Sequence, residues 1–371
     1  MRDVMDKVDA WLGEGQEVML ATVVKVWGSA PRPPGSHLAQ SSSGGIAGSV
    51  SGGCVEGAVL EEGQTLLEEG GSKLLSFGVE DELAWNVGLS CGGQIEVFCE
   101  RLDRGQYAEI REELENDRLA ALATVIAGPL QGRRVLLRTE KAGEAPGLGA
   151  GDENTGVTPG LGVGALLSSP SLGHPALDAL AERLFSDQTA SFEARREAIE
   201  IDGVAHEVFL EVLAPRPVLI VVGAVHVAIP LVAIANLLGF RTVVVDPRTA
   251  FATRERFRHA DDLLHEWPDE ALRHVGIHRN TFVALLSHDP KLDVPAARVA
   301  LAGQARYVGA LGSKKTHQKR VQKLREAGVP DEQIARLHNP IGLDLGGRKA
   351  QEIAVAVIAE IVAVSHGIGA K

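Results

Sequence analysis

The strongest constraint on the fold is an alternation of apolar strands and helical segments that begins at residue 218. VLIVVGA (218–224) is a strand-length apolar run, a helical pattern covers 226–239, and RTVVVD (241–246) is the next strand. Later strands and a final helix are predicted at 281–289, 305–311 and 350–365. Continuously apolar strands alternating with helices are typical of a parallel sheet covered on both faces. The sequence therefore predicts an α/β protein whose C-terminal domain, 215–371, is a Rossmann-like doubly wound sheet.

The first 214 residues follow a different pattern. A short amphipathic helix is predicted over 4–13 and a strand over 18–26, and a turn-rich stretch follows that contains three prolines. Helical periodicity begins at Val55, and QIEVFCE alternates apolar and polar residues like a strand. Residues 143–170 are rich in glycine and proline, which predicts a loop. We therefore predict an N-terminal α+β domain over 1–214 with two Gly-Cys turns.

The turn after the first C-terminal strand resembles a dinucleotide-binding fingerprint. Gly223 follows the strand directly, and Asp246 ends the next strand twenty-three residues later, where an acidic residue would accept from a ribose hydroxyl. The middle glycine of that fingerprint is replaced by Val225, whose branched side chain projects where a pyrophosphate would approach. Val225 therefore argues against NAD(P) binding, and a doubly wound domain with another ligand or none is the alternative.

Other polar residues collect where the predicted strands end, which is where ligands bind in open α/β sheets. His226 and His288 are each candidates for a ligand contact or an acid/base, or are polar residues with ordinary partners. Ser313 and Lys314 follow a glycine and open a predicted helix, where backbone N–H groups attract phosphate. The alternative for Ser313 is a plain helix cap.

The N-terminal domain offers a sharper candidate in GGIAGSVSGGCVEG. Cys54 follows Gly52 and Gly53 and precedes a predicted helix. Glycines allow successive N–H groups to form an anion-binding nest, and a helix N-terminus favours the thiolate form of cysteine. This arrangement suits a ligand with both an anionic group and a thiophilic centre, and Cys91 in GLSCGG is a possible partner. The competing interpretation is a small buried cysteine, which we favour for Cys99 on its strand.

Composition excludes several classes of protein. The net charge is −12, which argues against a nucleic-acid surface. No run of about 18 apolar residues is present, so no membrane span is expected, and the N-terminus does not resemble a secretory signal. The 3 cysteines are odd in number and poorly spaced for disulfides, which fits a reducing cytoplasm.

Several long motifs resemble the XdhC/CoxI family of maturation factors for xanthine dehydrogenase and related molybdenum hydroxylases. In the N-terminal domain these are GSAPRPPGSHLA, GSVSGGCVEGAVLEE and GLSCGGQIEVF. In the C-terminal domain they are FATRERF, SHDPKLD, YVGALGSKKTHQKR and PIGLDLGGRKAQEIAVAVIAEIVA. The family turn that usually reads Gly-Ala-Gly-His is here Gly223-Ala224-Val225-His226, a departure that counts against a nucleotide role for this domain.

The resemblance implies an accessory factor rather than a catalyst. Such a factor would transiently bind the molybdenum cofactor in its molybdopterin form, accompany sulfuration by a cysteine desulfurase, and deliver the product to an apo hydroxylase. Cys54 and its glycine loop would be the cofactor site, with a possible contact to molybdenum, and a homodimer is plausible. The rival hypothesis is an NAD(P)-dependent oxidoreductase that uses His226 or His288, and a silent interaction module is a third.

Overall fold

A computed structural model describes residues 1–28, 32–78, 93–139, 165–167, 171–188 and 192–368. The described chain forms two compact units, one up to Pro215 and one from Arg216 onward. Each unit has its own sheets and its own hydrophobic clusters. Among the described residues, none of the helices combines the length and apolar character needed to cross a bilayer.

Among its described residues, the first unit contains ten strands and four helices. The strands are β1 (Val18–Trp27), β2 (His37–Ser41), β3 (Ile46–Gly48), β4 (Ser72–Phe77), β5 (Gln94–Arg101), β6 (Ala120–Ala127), β7 (Arg134–Thr139), β8 (Ala165–Leu167), β9 (Arg195–Ile201) and β10 (Val204–Leu213). The helices are α1 (Arg2–Gly13), α2 (Glu56–Glu69), α3 (Arg104–Glu115) and α4 (Pro175–Gln188). Two antiparallel sheets result, in the orders β3-β2-β1-β5-β4 and β8-β7-β6-β10-β9.

Strand β1 shows why the first sheet lies at the centre of this unit. Its first seven residues are buried, and alternate residues point to opposite faces. Met19 and Val23 pack with Val59 of α2, whereas Val24 packs with Phe209 of the second sheet. The sheet is therefore covered by α2 on one face and by the second sheet on the other.

Two regions of the first unit differ from the sequence prediction. The stretch predicted to be turn-rich contains β2 and β3, because their backbones pair antiparallel with β1 and with each other despite the surrounding prolines and glycines. Within the predicted loop 143–170, residues 165–167 form β8, which pairs with β7. The rest of that loop lies outside the described residues.

The second unit is the predicted Rossmann-like sheet. Its strands are β11 (Val218–Val222), β12 (Arg241–Val245), β13 (Asp262–Leu264), β14 (Thr281–Leu285), β15 (Tyr307–Ala310) and β16 (Leu337–His338). Its helices are α5 (Ala228–Leu237), α6 (Pro268–Val275), α7 (Pro290–Ala302), α8 (Lys314–Glu326), α9 (Asp331–Ile334) and α10 (Ala350–Ser365). All strands pair in parallel in the order β13-β12-β11-β14-β15-β16. The order reverses between β11 and β14, so the turns after these two strands meet at the switch point.

Candidate functional site

The Cys54 loop, residues 49–55, connects β3 to α2 in the first unit. It is anchored to β2, because the N–H of Ser49 donates to the carbonyl of His37 over 2.8 Å. Gly48 has a φ of +75°, and a Cβ there would lie 2.2 Å from the same carbonyl oxygen. A glycine is therefore required immediately before the loop, where the chain passes closest to β2.

The carboxylate of Glu56, the first residue of α2, is surrounded by hydrogen-bond donors from the loop. Its Oε1 accepts from the backbone nitrogens of Val50 and Ser51 over 3.2 and 2.9 Å, and from the hydroxyl of Ser49 over 2.6 Å. Its Oε2 accepts from the nitrogen of Gly53 over 2.9 Å and from the Ser51 hydroxyl. Five donors thus converge on one carboxylate.

The two serine hydroxyls satisfy the remaining N–H groups of the loop. Ser49 Oγ accepts from Gly52 over 2.9 Å, and Ser51 Oγ accepts from both Cys54 and Val55 over 2.9 Å each. Every backbone N–H from residue 50 to residue 55 is therefore paired with a side chain of the same short segment.

The five hydrogen-bond donors around Glu56 favour the ionised form of its carboxyl group. Partial burial opposes ionisation of the carboxyl, but hydrogen bonds from Ser49, from Ser51 and from loop amides lower its pKa to about 2. Glu56 is therefore an anion at neutral pH.

This geometry corrects the prediction that the amides at Gly52 and Gly53 are an open nest for a ligand. Both glycines have positive φ, +76° and +115°, so the chain does turn at the predicted Gly-Cys junction. However, the N–H groups already donate to Ser49 and Glu56. The loop is an anion nest whose anion comes from the chain itself.

The two cysteines in the described part of the chain have different environments. The Cys54 thiol is half-buried beside the hydrophobic cluster under α2 and makes no hydrogen bond to the described part of the chain. Cys99 is fully buried, and burial raises the pKa of its thiol to about 12, which confirms its prediction as a core residue. Cys91 lies outside the described residues. Among those described, no group of three or more His, Cys, Asp or Glu side chains is placed to hold a metal ion.

Arg32 of the proline-rich motif supports the Cys54 loop. Its Nε donates to the carbonyl of Ser49 over 3.1 Å, and its guanidinium pairs with Asp3 over 3.3 Å. Arg32 also borders a cavity of about 380 Å³ with Ser36 and Glu211. A larger cavity of about 630 Å³ in the same unit is lined by no residue of the Cys54 loop. The bond from Arg32 to Ser49 brings together two motifs that are separate in the sequence, GSAPRPPGSHLA and GSVSGGCVEGAVLEE.

Sequence reasoning missed Glu56, Ser49 and Ser51 as site-forming residues. An acidic residue at the start of a helix is common for electrostatic reasons alone, so Glu56 carried no distinct signal. The pattern Ser-x-Ser followed by Glu five residues later is the feature that could have indicated it.

In the second unit, the turn after β11 packs tightly against the end of β14. Gly223 has a φ of +103°, and a Cβ there would lie 2.7 Å from the nitrogen of Ser287. Val225 packs partly buried against the cluster between the sheet and α5. Gly223 is therefore needed for close approach of two strand ends.

Asp246 is fully buried, and both of its carboxylate oxygens are already hydrogen-bonded. Oδ2 accepts from the nitrogen of Ala224 over 2.8 Å and from Arg248 Nη2 over 2.7 Å. Oδ1 accepts from the Arg248 nitrogen and Nε over 2.9 and 2.8 Å. Burial opposes ionisation, but the bonds from Arg248 and Ala224 lower the pKa of Asp246 overall. A ribose hydroxyl would have to displace Arg248, so this conformation does not present Asp246 as the predicted ribose acceptor.

The remaining predicted residues lie in the turns at the ends of the parallel strands. His226 and His288 are exposed in the turns after β11 and β14. The hydroxyl of Ser313 accepts from the nitrogen of Thr316 over 3.2 Å, so Ser313 serves as the cap of α8. Lys314 begins that helix, and its side chain is outside the described structure.

A buried polar network that the sequence did not indicate lies beneath these turns. Asp293 accepts from the Ser287 hydroxyl over 2.5 Å and pairs with Arg320 over 3.1 Å. Arg320 also donates to Asn339 over 3.0 Å and to the carbonyl of Leu311 over 2.9 Å. The network joins the ends of β14, β15 and β16.

Two family models match the chain, and together they cover more than half of it. The model of the XdhC and CoxI family matches residues 11–78, which include the Cys54 loop. The model of the XdhC Rossmann domain matches residues 219–361.

Named relatives align along nearly the whole chain. A Bacillus subtilis protein named as a probable xanthine dehydrogenase subunit is 28% identical over 96% of this chain and 95% of its own length. The molybdenum cofactor insertion chaperone PaoD of Escherichia coli is 24% identical over 95% of this chain and 85% of its own length. The crystal structure of a xanthine dehydrogenase from Bacillus halodurans covers 98% of this chain and 96% of its own, with a TM-score of 0.72 and 23% identity. At that identity the structural likeness establishes the fold alone.

Proposed function

Because this chain belongs to the XdhC and CoxI family, we propose that it is a maturation chaperone for the molybdenum cofactor. It binds the cofactor transiently in its molybdopterin form, aids its sulfuration, and inserts it into an apo molybdenum hydroxylase. The relative named as a molybdenum cofactor insertion chaperone supports this role. The relative named for xanthine dehydrogenase supports a xanthine dehydrogenase-like client.

The observation that carries the proposal is the half-buried thiol of Cys54 on a fully hydrogen-bonded loop. A bound cofactor supplies a metal centre and an exchangeable sulfur, and a thiolate is a soft ligand suited to both. Cys54 presents its sulfur from a backbone whose conformation is already fixed, which lowers the entropy cost of making the contact.

The loop offers a group for the metal and sulfur of the cofactor but none for its phosphate. The thiol suits the thiophilic end, but the amides at Gly52 and Gly53 are committed and do not suit the phosphate. We therefore assign Cys54 to the metal or sulfur contact. Roles for Cys91, Gly223, His226, Asp246, Ser313 and Lys314 in cofactor binding stay predictions.

The proposed partners follow from the reaction. Sulfuration needs a sulfur donor, so a cysteine desulfurase is one proposed partner, and the apo hydroxylase is the other. A homodimer and a cytoplasmic location are further predictions. Pull-down with each candidate enzyme tests the proposed partners, and light scattering of the purified chain tests the homodimer.

The test of the main proposal is cofactor retention. The chain is purified from cells that make molybdenum cofactor, and bound pterin is measured by fluorescence after oxidation, together with bound molybdenum. We expect the wild-type chain to carry both. Cys54→Ala should retain less by about tenfold or more, since loss of a group that only supports a metal ligand already costs about tenfold.

Cys99→Ala is the matched control, because it removes a thiol that lies in the core. It should retain cofactor like the wild type. Wild-type retention by Cys54→Ala would show that Cys54 is not the contact. Absence of pterin in the wild type, with no activation of a hydroxylase, would contradict the chaperone function itself.

A further inference from the structure

We propose that Glu56 is a positioning residue for Cys54. The carboxylate of Glu56 takes the place in the loop that the phosphate of a ligand would occupy. The thiol is then the group of this loop that meets the ligand, and the anionic part of the ligand is held elsewhere. The inference rests on the proposed role of Cys54 as the cofactor contact.

The donors around Glu56 are those of an anion site. Three backbone N–H groups and two hydroxyls point at its two oxygens. Successive N–H groups of a glycine-rich turn beside a helix N-terminus are the elements that proteins use to bind phosphate. In this loop the same elements are saturated by a side chain that begins the following helix.

Displacement of Glu56 by an outside anion is unfavourable. The Glu56 carboxylate accepts five hydrogen bonds from the loop, and bonds from amides and hydroxyls to a carboxylate are charge-assisted. An entering phosphate would regain these donors but would leave Glu56 charged and without partners. The loop is consequently closed to phosphate at ordinary concentrations.

Glu56 reaches Cys54 through a single intermediate residue. The Ser51 hydroxyl donates to Glu56, and the same oxygen accepts from the nitrogen of Cys54 over 2.9 Å. It also accepts from Val55 at the start of α2. The negative charge of Glu56 fixes the direction of the Ser51 O–H bond, which leaves the lone pairs of that oxygen facing Cys54 and Val55.

The first experiment titrates the wild-type chain with inorganic phosphate and follows the backbone amide signals of Ser51 and Gly53 by NMR. We expect no saturable shift at millimolar phosphate. Glu56→Ala, which empties the nest, should show a saturable shift of the same signals. Saturable binding at these amides in the wild type would overturn the inference, and that result does not depend on whether Glu56→Ala folds.

The second experiment separates positioning from general stability. In Glu56→Gln, the amides of Cys54 and Val55 should shift and exchange faster, although neither bonds to Glu56 directly, while the buried Leu67 amide near the end of α2 keeps its exchange rate. Retained cofactor should fall about tenfold. The matched control is Glu61→Gln, an exposed acid on the same helix, and it should leave all signals and cofactor retention unchanged.

Unchanged signals of Cys54 and Val55 in Glu56→Gln would overturn the positioning role. Equal acceleration of exchange throughout α2 would also overturn it, because that outcome indicates general destabilisation. Both NMR measurements are made without the cofactor. If the chain retains no pterin and activates no hydroxylase, the proposed function is refuted, while the NMR data still decide the role of Glu56.

Discussion

Asp246 accepts a hydrogen bond of 2.8 Å from the backbone nitrogen of Ala224, so the end of β12 is tied to the turn after β11. In a nucleotide-binding domain these two positions would face the ribose and the pyrophosphate. Here they face each other, and Arg248 covers the rest of the carboxylate. The same layout that resembles a dinucleotide fingerprint in sequence is closed in three dimensions.

We therefore predict that NAD(H) and NADP(H) do not bind the wild-type chain at millimolar concentration. Isothermal titration calorimetry with each nucleotide is the measurement. A saturable heat signal in that range would contradict the prediction and would revive the oxidoreductase hypothesis. Arg248→Ala tests the cause, because weak binding that emerges in this variant alone would identify Arg248 as the obstacle.

Gly223→Ala should destabilise the second unit by roughly 3 kcal/mol, since it combines a positive φ with a steric clash. The added Cβ would lie 2.7 Å from the nitrogen of Ser287. Gly239→Ala is the control, because its φ is +80° but no atom lies within 4 Å of the added Cβ. The control should cost about 1 kcal/mol. Urea denaturation measures both, and equal losses would show that close packing at Gly223 is unimportant.

Asp293→Ala should cost about 3 kcal/mol or more, because it leaves Arg320 charged and buried without its partner. The two side chains are 2% and 5% exposed, and their atoms are 3.1 Å apart. Asp331→Ala breaks the pair with Arg325, whose side chains are 70% and 61% exposed. That change should cost about 0.5 kcal/mol or less. A loss for Asp293→Ala as small as for Asp331→Ala would contradict the structural importance of the network.

The stability that Glu56 contributes should depend on pH in a defined direction. Its pKa is about 2 in the folded chain, against an ordinary value of 4.5. The contribution is complete above pH 4.5 and is lost as the pH falls towards 2. After allowance for solvent screening at this partly exposed site, it amounts to about 1 kcal/mol.

The difference in unfolding free energy between wild type and Glu56→Gln should therefore be constant near neutral pH and shrink in acid. Urea denaturation of the first unit at a series of pH values checks this. A difference that grows on acidification would have the wrong sign and would refute the assigned role of the carboxylate. Glu61→Gln should show no such trend.

Much of the second unit could be predicted because its strands and helices carry strong patterns. The final helix, 350–365, was predicted with the bounds that the structure has. Strand β14 was predicted four residues too long, to 289, since its polar end continues an apolar run. It stops at Leu285, and the chain turns at His288, which has a φ of +60° before Pro290. In the first unit, β2 was missed because pairing with β1 overrides the turn-forming residues around it.

The sequence predicts where the candidate site lies, but not whether its hydrogen-bonding groups are already paired within the chain. Glycines and a cysteine before a helix indicated a turn whose amides converge on an anion, and the structure has such a turn. Whether those amides are available to a ligand depends on the direction of the Glu56 side chain. Sequence periodicity contains no information about that direction. Asp246 was placed correctly at a strand end, but its closure by Arg248 depends on a side-chain conformation in the same way.

The turn that carries Cys54 has a consequence for protein engineering. Its amide hydrogen bonds are supplied by Ser49, Ser51 and Glu56, all inside eight consecutive residues. The segment thus supplies most of its own backbone contacts, while Arg32 and the carbonyl of His37 supply the rest. Grafted onto an unrelated scaffold, it should display a cysteine in the same pose only where the scaffold also provides an arginine and a strand edge in the places of Arg32 and His37.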